Sequence, residues 1–295
     1  MKICALTMVY RDYWAIKQWY MHYKHHLGAQ NLFIVVHGAD PRIASLCPAA
    51  NIIVIPRDDV SHFDATRNKM LNGFQDALSQ IYDWVIRTDA DEIIQIDPNR
   101  YKDFGALFHA CEGNTVFALG LNVFEMATDA PLDDDANVFD HRRTAVFSGH
   151  YSKAFAVRNG AHLDLHGVSV PRRRIESYPY DLPCGVYLAH LKFANTDALV
   201  ASNVHRKAIA RGEGKGLPGE AWRTATKRAR AQYAKAEAFP HIPWEAASAK
   251  AYAAQIAAPA RITKHAIVRS QFIAFKFKTT LPDWFAALPA GAMAP

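Results

Sequence analysis

The chain has no apolar run long enough to cross a bilayer as a helix. Its longest, such as Ile52-Ile53-Val54-Ile55, fall far short of the roughly 20 residues such a helix needs. Cysteine is scarce as well. The four, Cys4, Cys47, Cys111 and Cys184, are scattered without Cys-x-x-Cys spacing, which excludes a zinc ribbon and a disulfide scaffold and makes a reducing cytoplasm the expected compartment. No secretion signal is evident, because Arg11 and Asp12 cut short the apolar stretch after Lys2 and no small-residue cleavage site follows. No glycine-rich phosphate loop follows a strand: Gly212 to Gly219 lacks the spacing and reads as a flexible connection. No internal repeat is present.

What remains is a globular composition, 50% hydrophobic over 295 residues, enough for one large core or one domain with an appendage. The formal charge of +6 conceals a division. Residues 1–140 hold 11 Lys and Arg against 19 Asp and Glu, whereas residues 141–295 hold 23 against 9. An acidic part that holds a metal, joined to a basic part that faces anions, suits a phosphate-bearing substrate; a basic tail also suits an anionic membrane surface.

The first hundred residues alternate strand and helix signals in the manner of an α/β domain. Strands are expected at Lys2–Tyr10, Leu32–Val36, Ile52–Ile55 and Trp84–Thr88, with helices at Tyr13–Leu27, stopped by Gly28, and Phe63–Ile81. This order predicts a mostly parallel sheet whose ligands bind at the strands' carboxyl ends. Further strands are expected at Thr115–Val123, Tyr151–Val157 and Val186–Phe193, and an acid-rich loop at Thr128–Asp140. From Ala198 the chain turns Ala-, Lys- and Arg-rich, with helices at Ala198–Ala210 and Ala221–Ala238.

The most informative stretch is Trp84 to Ile94, an apolar run ending in Asp89-Ala90-Asp91-Glu92. In a strand, Asp89 and Asp91 would point the same way. Two carboxylates side by side repel unless a cation lies between them, so a divalent metal explains the pair economically, whereas an acidic turn is the plainer alternative.

Taken in order, these segments resemble a glycosyltransferase of the GT-A type, close to the family 2 and family 92 enzymes. The resemblance rests on Ala5 to Asp12, the helix end at Tyr20 to Gly28, Arg67-Asn68, Trp84 to Ile94 and Ala189-His190-Leu191-Lys192. It implies a catalytic domain over 1–197, with a nucleotide-binding part to about 97 and an acceptor part beyond, and a basic helical appendage over 198–295. It implies that Asp91 ligates Mn²⁺ or Mg²⁺, that Asp89 faces the metal or the ribose, and that His190 completes the metal shell. Thr7, Tyr10, Arg11, Arg67 and Asn68 would line the nucleotide site, and Lys153 and Lys192 would meet phosphate.

The second strand ends in Val36-His37-Gly38 where the family often has an acid that reads the base. Glu125 and Asp164 are the candidate catalytic bases for an inverting transfer. The expected donor is a nucleoside-diphosphate sugar and the expected acceptor a glycan or lipid-linked molecule, with a peripheral contact at an anionic inner membrane face. The rival reading within enzymes is a nucleotidyltransferase, which would carry a glycine-rich basic loop after the first strand, and Thr7 to Asp12 has no glycine. A nucleic-acid-binding protein would explain the basic half but not the acid-ended strand, so no nucleic-acid partner is expected. His22, His25 and His26 read as an exposed helix face, His162 and His166 as parts of a loop around Asp164, and Phe272, Phe275, Phe277 and Trp284 as either an interfacial anchor or tail packing.

Overall fold

From Cys4 onward every residue of the first strand, β1 (Ile3–Val9), is buried on both faces, the pattern of a parallel strand covered above and below. In the computed structural model, which describes residues 1–133, 135–212, 215–218 and 220–286, β1 lies between β2 (Leu32–His37) and the later β4 (Trp84–Arg87), parallel to both, and β3 (Asn51–Ile55) extends the row beyond β2. Alternate residues of β1 serve opposite layers. Ala5 and Val9 pack with Ile16, Trp19 and Tyr23 of α1 (Tyr13–Leu27), and Ile43 of α2 (Pro41–Leu46) joins them; Cys4, Leu6 and Met8 pack with Leu71 of α3 (Phe63–Leu78). This is the expected α/β fold, a curled sheet with a parallel core flanked by helices.

Beyond β4 the sheet becomes mixed. The next elements are β5 (Glu92–Ile96), α4 (Phe104–Ala110), β6 (Thr115–Phe124), α5 (Val138–His141), β7 (Thr144–Phe147) and β8 (Lys153–Val157). The ten-residue β6 joins the halves, pairing antiparallel with β8 over Thr115–Ala118 and with β7 over Leu121–Phe124. A short hairpin follows, β9 (His162–Asp164) and β10 (Gly167–Ser169). Then β11 (Val186–Phe193) runs parallel to β6 and antiparallel to β5.

The helices past 195 are α6 (Thr196–Arg211), α7 (Glu220–Arg223), α8 (Ala225–Ala238) and α9 (Trp244–Ile256). This stretch also returns strands to the body. β12 (Ala260–Ile262) and β13 (Ile267–Arg269) complete a small sheet with β10 and β9, and β14 (Thr279–Thr280) pairs with β7. Phe275 and Phe277 are buried beside Ala247 and Ala251 of α9 in a second core, so of that aromatic group only Phe272 is well exposed. Among the described residues no helix is long and apolar enough to cross a membrane, and all four cysteines are free thiols.

Four expectations change. α3 ends at Leu78, where Ser79 Oγ donates to the Gln75 carbonyl, and Ile81 lies exposed past it rather than on the packed side. The strand before the acids stops at Arg87, leaving Asp89 and Asp91 in a turn, where strand alternation no longer fixes their directions. The segment around Asp164 is a hairpin, not a loop. The long helix expected at Ala221–Ala238 is broken between Arg223 and Ala225. The acid-rich loop and the Gly212–Gly219 connection fall partly outside the described residues, at Asp134 and at 213, 214 and 219.

Candidate active site

The carboxyl ends of β1 and β4 open onto a cleft of about 530 Å³. Helix α1 fixes its floor. Trp19 Nε1 donates to Thr88 Oγ1 at 2.9 Å, and on the far side of the acidic turn the Ile94 amide donates to Tyr23 Oη at 3.1 Å while His22 Nε2 bonds the Ile94 carbonyl at 2.9 Å. The His cluster is therefore no exposed face: His22 is buried behind β5 and His26 packs edge-on against Phe104. The turn closes on itself, with the Glu92 amide donating to the Asp89 carbonyl at 3.0 Å and the Asp89 amide donating to Glu92 Oε2 at 3.0 Å.

The three acids meet different fates. Asp89 is held by Arg67 of α3 through Oδ1 and by Lys153 of β8, 3.4 Å from Oδ2. Burial works against its charge, but Arg67 and Lys153 outweigh burial and hold the carboxyl well below its usual range. Its oxygens are turned to cations, so it is not an open donor here. Glu92 is almost fully buried and pairs with Lys153 at 2.7 Å; burial pushes its carboxyl up to about 7, with Lys153 opposing and Asp89 and Asp91 adding to the rise. Asp91 faces His190, with 3.4 Å between Oδ2 and Nε2, and Arg206 of α6 at 3.7 Å. Burial raises the Asp91 carboxyl, whereas His190, when its ring carries a second proton, and Arg206 bring it down to about 2.

The His190 ring has a defined tautomer. Its Nδ1 lies 2.7 Å from Asn122 Oδ1, an acceptor, so the proton is on Nδ1. Burial holds the imidazole neutral against the pull of Asp91, and Tyr151 stacks on it with ring centroids 3.7 Å apart. The Nε2 lone pair thus points at an ionised carboxylate oxygen. Two acceptors facing each other at this distance fit a shared cation, since two donors each about 2.1 Å from one ion stand about 3 Å apart. Among the described residues no third His, Cys, Asp or Glu joins them in a metal-holding group. The chain offers two donors, and a bound phosphate would have to supply others.

The remaining sequence candidates divide. Tyr10, Arg67, Asn68, Lys153, Asp164 and Lys192 line the cleft with the acids. Asn68 donates to Asp164 Oδ1 at 3.0 Å and receives Arg87 Nη2 at 2.8 Å, so it braces both. Lys192 is partly buried beside Arg206, and burial with that neighbour brings its ammonium down to about 8. Thr7 and Arg11 do not line the cleft: Thr7 is wholly buried in β1, and Arg11 is exposed with φ 49°.

Glu125 is also elsewhere. It pairs with Arg142 at 3.3 Å and accepts the Thr196 amide at 2.6 Å, tying down the start of α6. Of the two candidate bases only Asp164 reaches the cleft. His162 points away to Asp76 at 2.8 Å, whereas His166 lines the cleft beside His150.

Sequence reasoning passed over Arg57, Arg87, Tyr151, His205 and Arg206, all in the lining, and took Asp12 only as the end of the segment after the first strand. Asp12 is notable because burial, and then Asp91, push its carboxyl up to about 6. The one local cue was its place after β1, at the strand end where ligands bind in parallel sheets.

No family model and no curated protein matches the chain. Among solved structures, the crystal structure of mannose-1-phosphate geranyltransferase from Thermus thermophilus is similar at 11% identity and TM-score 0.30, over 95% of this chain and 74% of that one. The structure of CMP:2-keto-3-deoxy-manno-octonic acid synthetase complexed with CTP is similar at 13% identity and TM-score 0.28, over 79% of this chain and 99% of that one. At these scores neither likeness carries an inference to this chain.

Proposed function

We propose that the chain is a transferase that binds a nucleoside-diphosphate sugar and moves the sugar to a hydroxyl acceptor with inversion, the acceptor being a glycan or a lipid-linked molecule. One observation carries this reading: an ionised Asp91 and the lone pair of a neutral His190 face each other at the strand ends, with Lys192 and Arg206 beside them. Mn²⁺ or Mg²⁺ held by Asp91 and His190 would act as a Lewis acid on the leaving diphosphate, the imidazole donor favouring Mn²⁺.

The chain's own residues supply the rest. Lys192 and Arg206 meet phosphate oxygens and Asn122 keeps the His190 tautomer. Arg67 and Lys153 hold Asp89 charged. Asp164, oriented by Asn68, receives the acceptor proton, and Asp12 is another acid of the lining able to take it. The basic helices α6 and α8 would rest on anionic lipid at the inner membrane face and bring a lipid-linked acceptor to the cleft.

The test is a thermal-shift screen of nucleoside diphosphates and their sugars with and without Mn²⁺. Stabilisation by a nucleotide that needs both the metal and Asp91 is expected. If Asp91→Ala leaves the metal-dependent response intact, the reading is wrong.

A second reading, nucleotidyl transfer to a sugar phosphate, draws on Arg67 and Lys153, two cations that a longer phosphate chain would also engage. Product analysis separates the two: nucleoside diphosphate is released in the first, pyrophosphate in the second.

A further inference from the structure

At the end of the cleft bounded by β1 and β3, the guanidinium of Arg57 lies over the Tyr10 ring, 3.6 Å from its centroid. Its Nη1 donates to His37 Nδ1 at 2.7 Å. Arginine offers only donors, so His37 must be the acceptor and is neutral with its own proton on Nε2. Burial, with Arg57 and Arg67 adding, brings that imidazole down to about 4. His37, Tyr10 and Arg57 thus form one braced unit at the ends of β1, β2 and the β3 exit.

Aromatic rings extend the wall. Phe63 stacks on His37 at 6.0 Å and meets Trp222 edge-on at 5.6 Å, and His205 meets Tyr10 edge-on at 5.4 Å. Arg57, Tyr10, Phe63, His205 and Trp222 all line the cleft. Among the described residues Arg57 forms no ion pair with a carboxylate, although burial lowers its pKa. A flat cation fixed on an aromatic ring, without an acid to neutralise it, is suited to a flat ligand that stacks and accepts hydrogen bonds.

We propose that Arg57, held by His37 and Tyr10, reads the nucleobase and selects an edge that presents a carbonyl oxygen, as guanine and uracil do, over the counterpart with an exocyclic amine, adenine or cytosine. The inference rests on the transferase reading and narrows its donor. The selection follows from donor and acceptor counting. An amine facing Arg57 sets donor against donor and leaves both unsatisfied in a partly buried site. A site built around a hydrogen bond rejects the partner that cannot make it far more strongly than a merely apolar pocket does.

Two pairs of probes isolate the edge: GDP against ADP, and UDP against CDP, each titrated calorimetrically in the presence of Mn²⁺. In the pair that fits the pocket, the carbonyl member is expected to bind at least about tenfold more tightly. Arg57→Gln, whose amide both donates and accepts, should bring that ratio close to one, and His37→Leu should move it the same way by releasing Arg57.

Equal binding of GDP and ADP together with equal binding of UDP and CDP would overturn the assignment. So would an Arg57→Gln variant that weakens both members of a pair by the same factor, because Arg57 would then act as a charge alone. If none of the four diphosphates binds, the transferase reading itself fails, an outcome distinct from binding without discrimination.

Discussion

Acid should loosen this protein from behind its cleft, through His22. The side chain is 5% exposed, Nε2 bonds the Ile94 carbonyl, and burial followed by His26 holds its pKa well below that of a free imidazole. In the unfolded chain the same group titrates near 6.5. Below that pH the unfolded state binds a proton that the native state refuses, so stability falls as pH falls. The stability is fully present above about pH 6.5 and is lost progressively toward the depressed native pKa. For one histidine kept neutral, the loss between pH 8 and pH 5 is about 2 kcal/mol, from RT ln(1 + 10^1.5), a sizeable share of an ordinary domain's roughly 5–15 kcal/mol. His26, held down to about 4 by burial and then His25, pulls the same way.

The perturbation is His22→Gln, which keeps a donor for the Ile94 carbonyl but cannot titrate. Urea unfolding at pH 8, 6.5 and 5 measures it. The variant should lose about 2 kcal/mol less than the parent between pH 8 and 5. Equal losses in both would show that His22 is protonated in the native state and that the buried-imidazole argument is wrong.

Three other outcomes are expected. Lys153→Met leaves the buried Glu92 carboxyl, already up to about 7 beside that lysine, to take up a proton, and should cost about 1–3 kcal/mol of stability in denaturant unfolding at pH 7 and more at pH 9; a cost that does not grow with pH would show that Glu92 is not the group left unpaired. Glu125→Gln should lower the melting temperature slightly, by about 1 kcal/mol of stability, through its weakened hold on Arg142 and the start of α6, and should leave kcat unchanged where Asp164→Asn abolishes turnover; the reverse pattern would restore Glu125 as the base. A Cβ at Gly120 would collide with the backbone of Tyr151 and Ser152. Gly120→Ala should therefore destabilise by more than about 3 kcal/mol, or, if it folds, weaken Mn²⁺-dependent nucleotide binding by shifting Tyr151 off His190.

The sequence was most readable where apolar runs are short and bounded. Strands β1 to β4 and β11 lie within one or two residues of expectation because each is a short, nearly continuous apolar run with clear bounds. The β9–β10 hairpin was hidden because its turn lacks the usual Asn-Gly. Leu165 and His166 adopt φ 44° and 66°, a conformation their side chains disfavour. Arg67, Asp91, Lys153 and His190 converge on one cleft; family-like order pointed to Arg67, Asp91 and His190, and Lys153 was marked only as a cation able to meet phosphate.

Arg57, His205 and Arg206 were missed because nothing local marks a cation or an imidazole on a loop or a helix as facing a cleft built from distant strands. Glu125 is the opposite case, an expected site residue that lies outside the cleft. A lone acid after a strand looks the same in sequence whether it serves an acceptor or ties down a helix, and the partners that decide, Arg142 and Thr196, are remote.

The pairing of β14 with β7 has a consequence for biosynthesis. Strand β7 leaves the ribosome well before its partner, and at about 5–20 residues per second the delay is roughly 7–27 s. Through that interval β7 offers an open edge, and the apolar surface later covered by α9, Phe275 and Phe277 is bare. Unpaired edges and bare apolar faces are where nascent chains aggregate. A chain cut at residue 197 would keep the acidic turn and stay in that exposed condition permanently, lacking both the closing strand and Arg206. Slower synthesis at low temperature or a holding chaperone should therefore raise the yield of the whole protein and do little for the cut one.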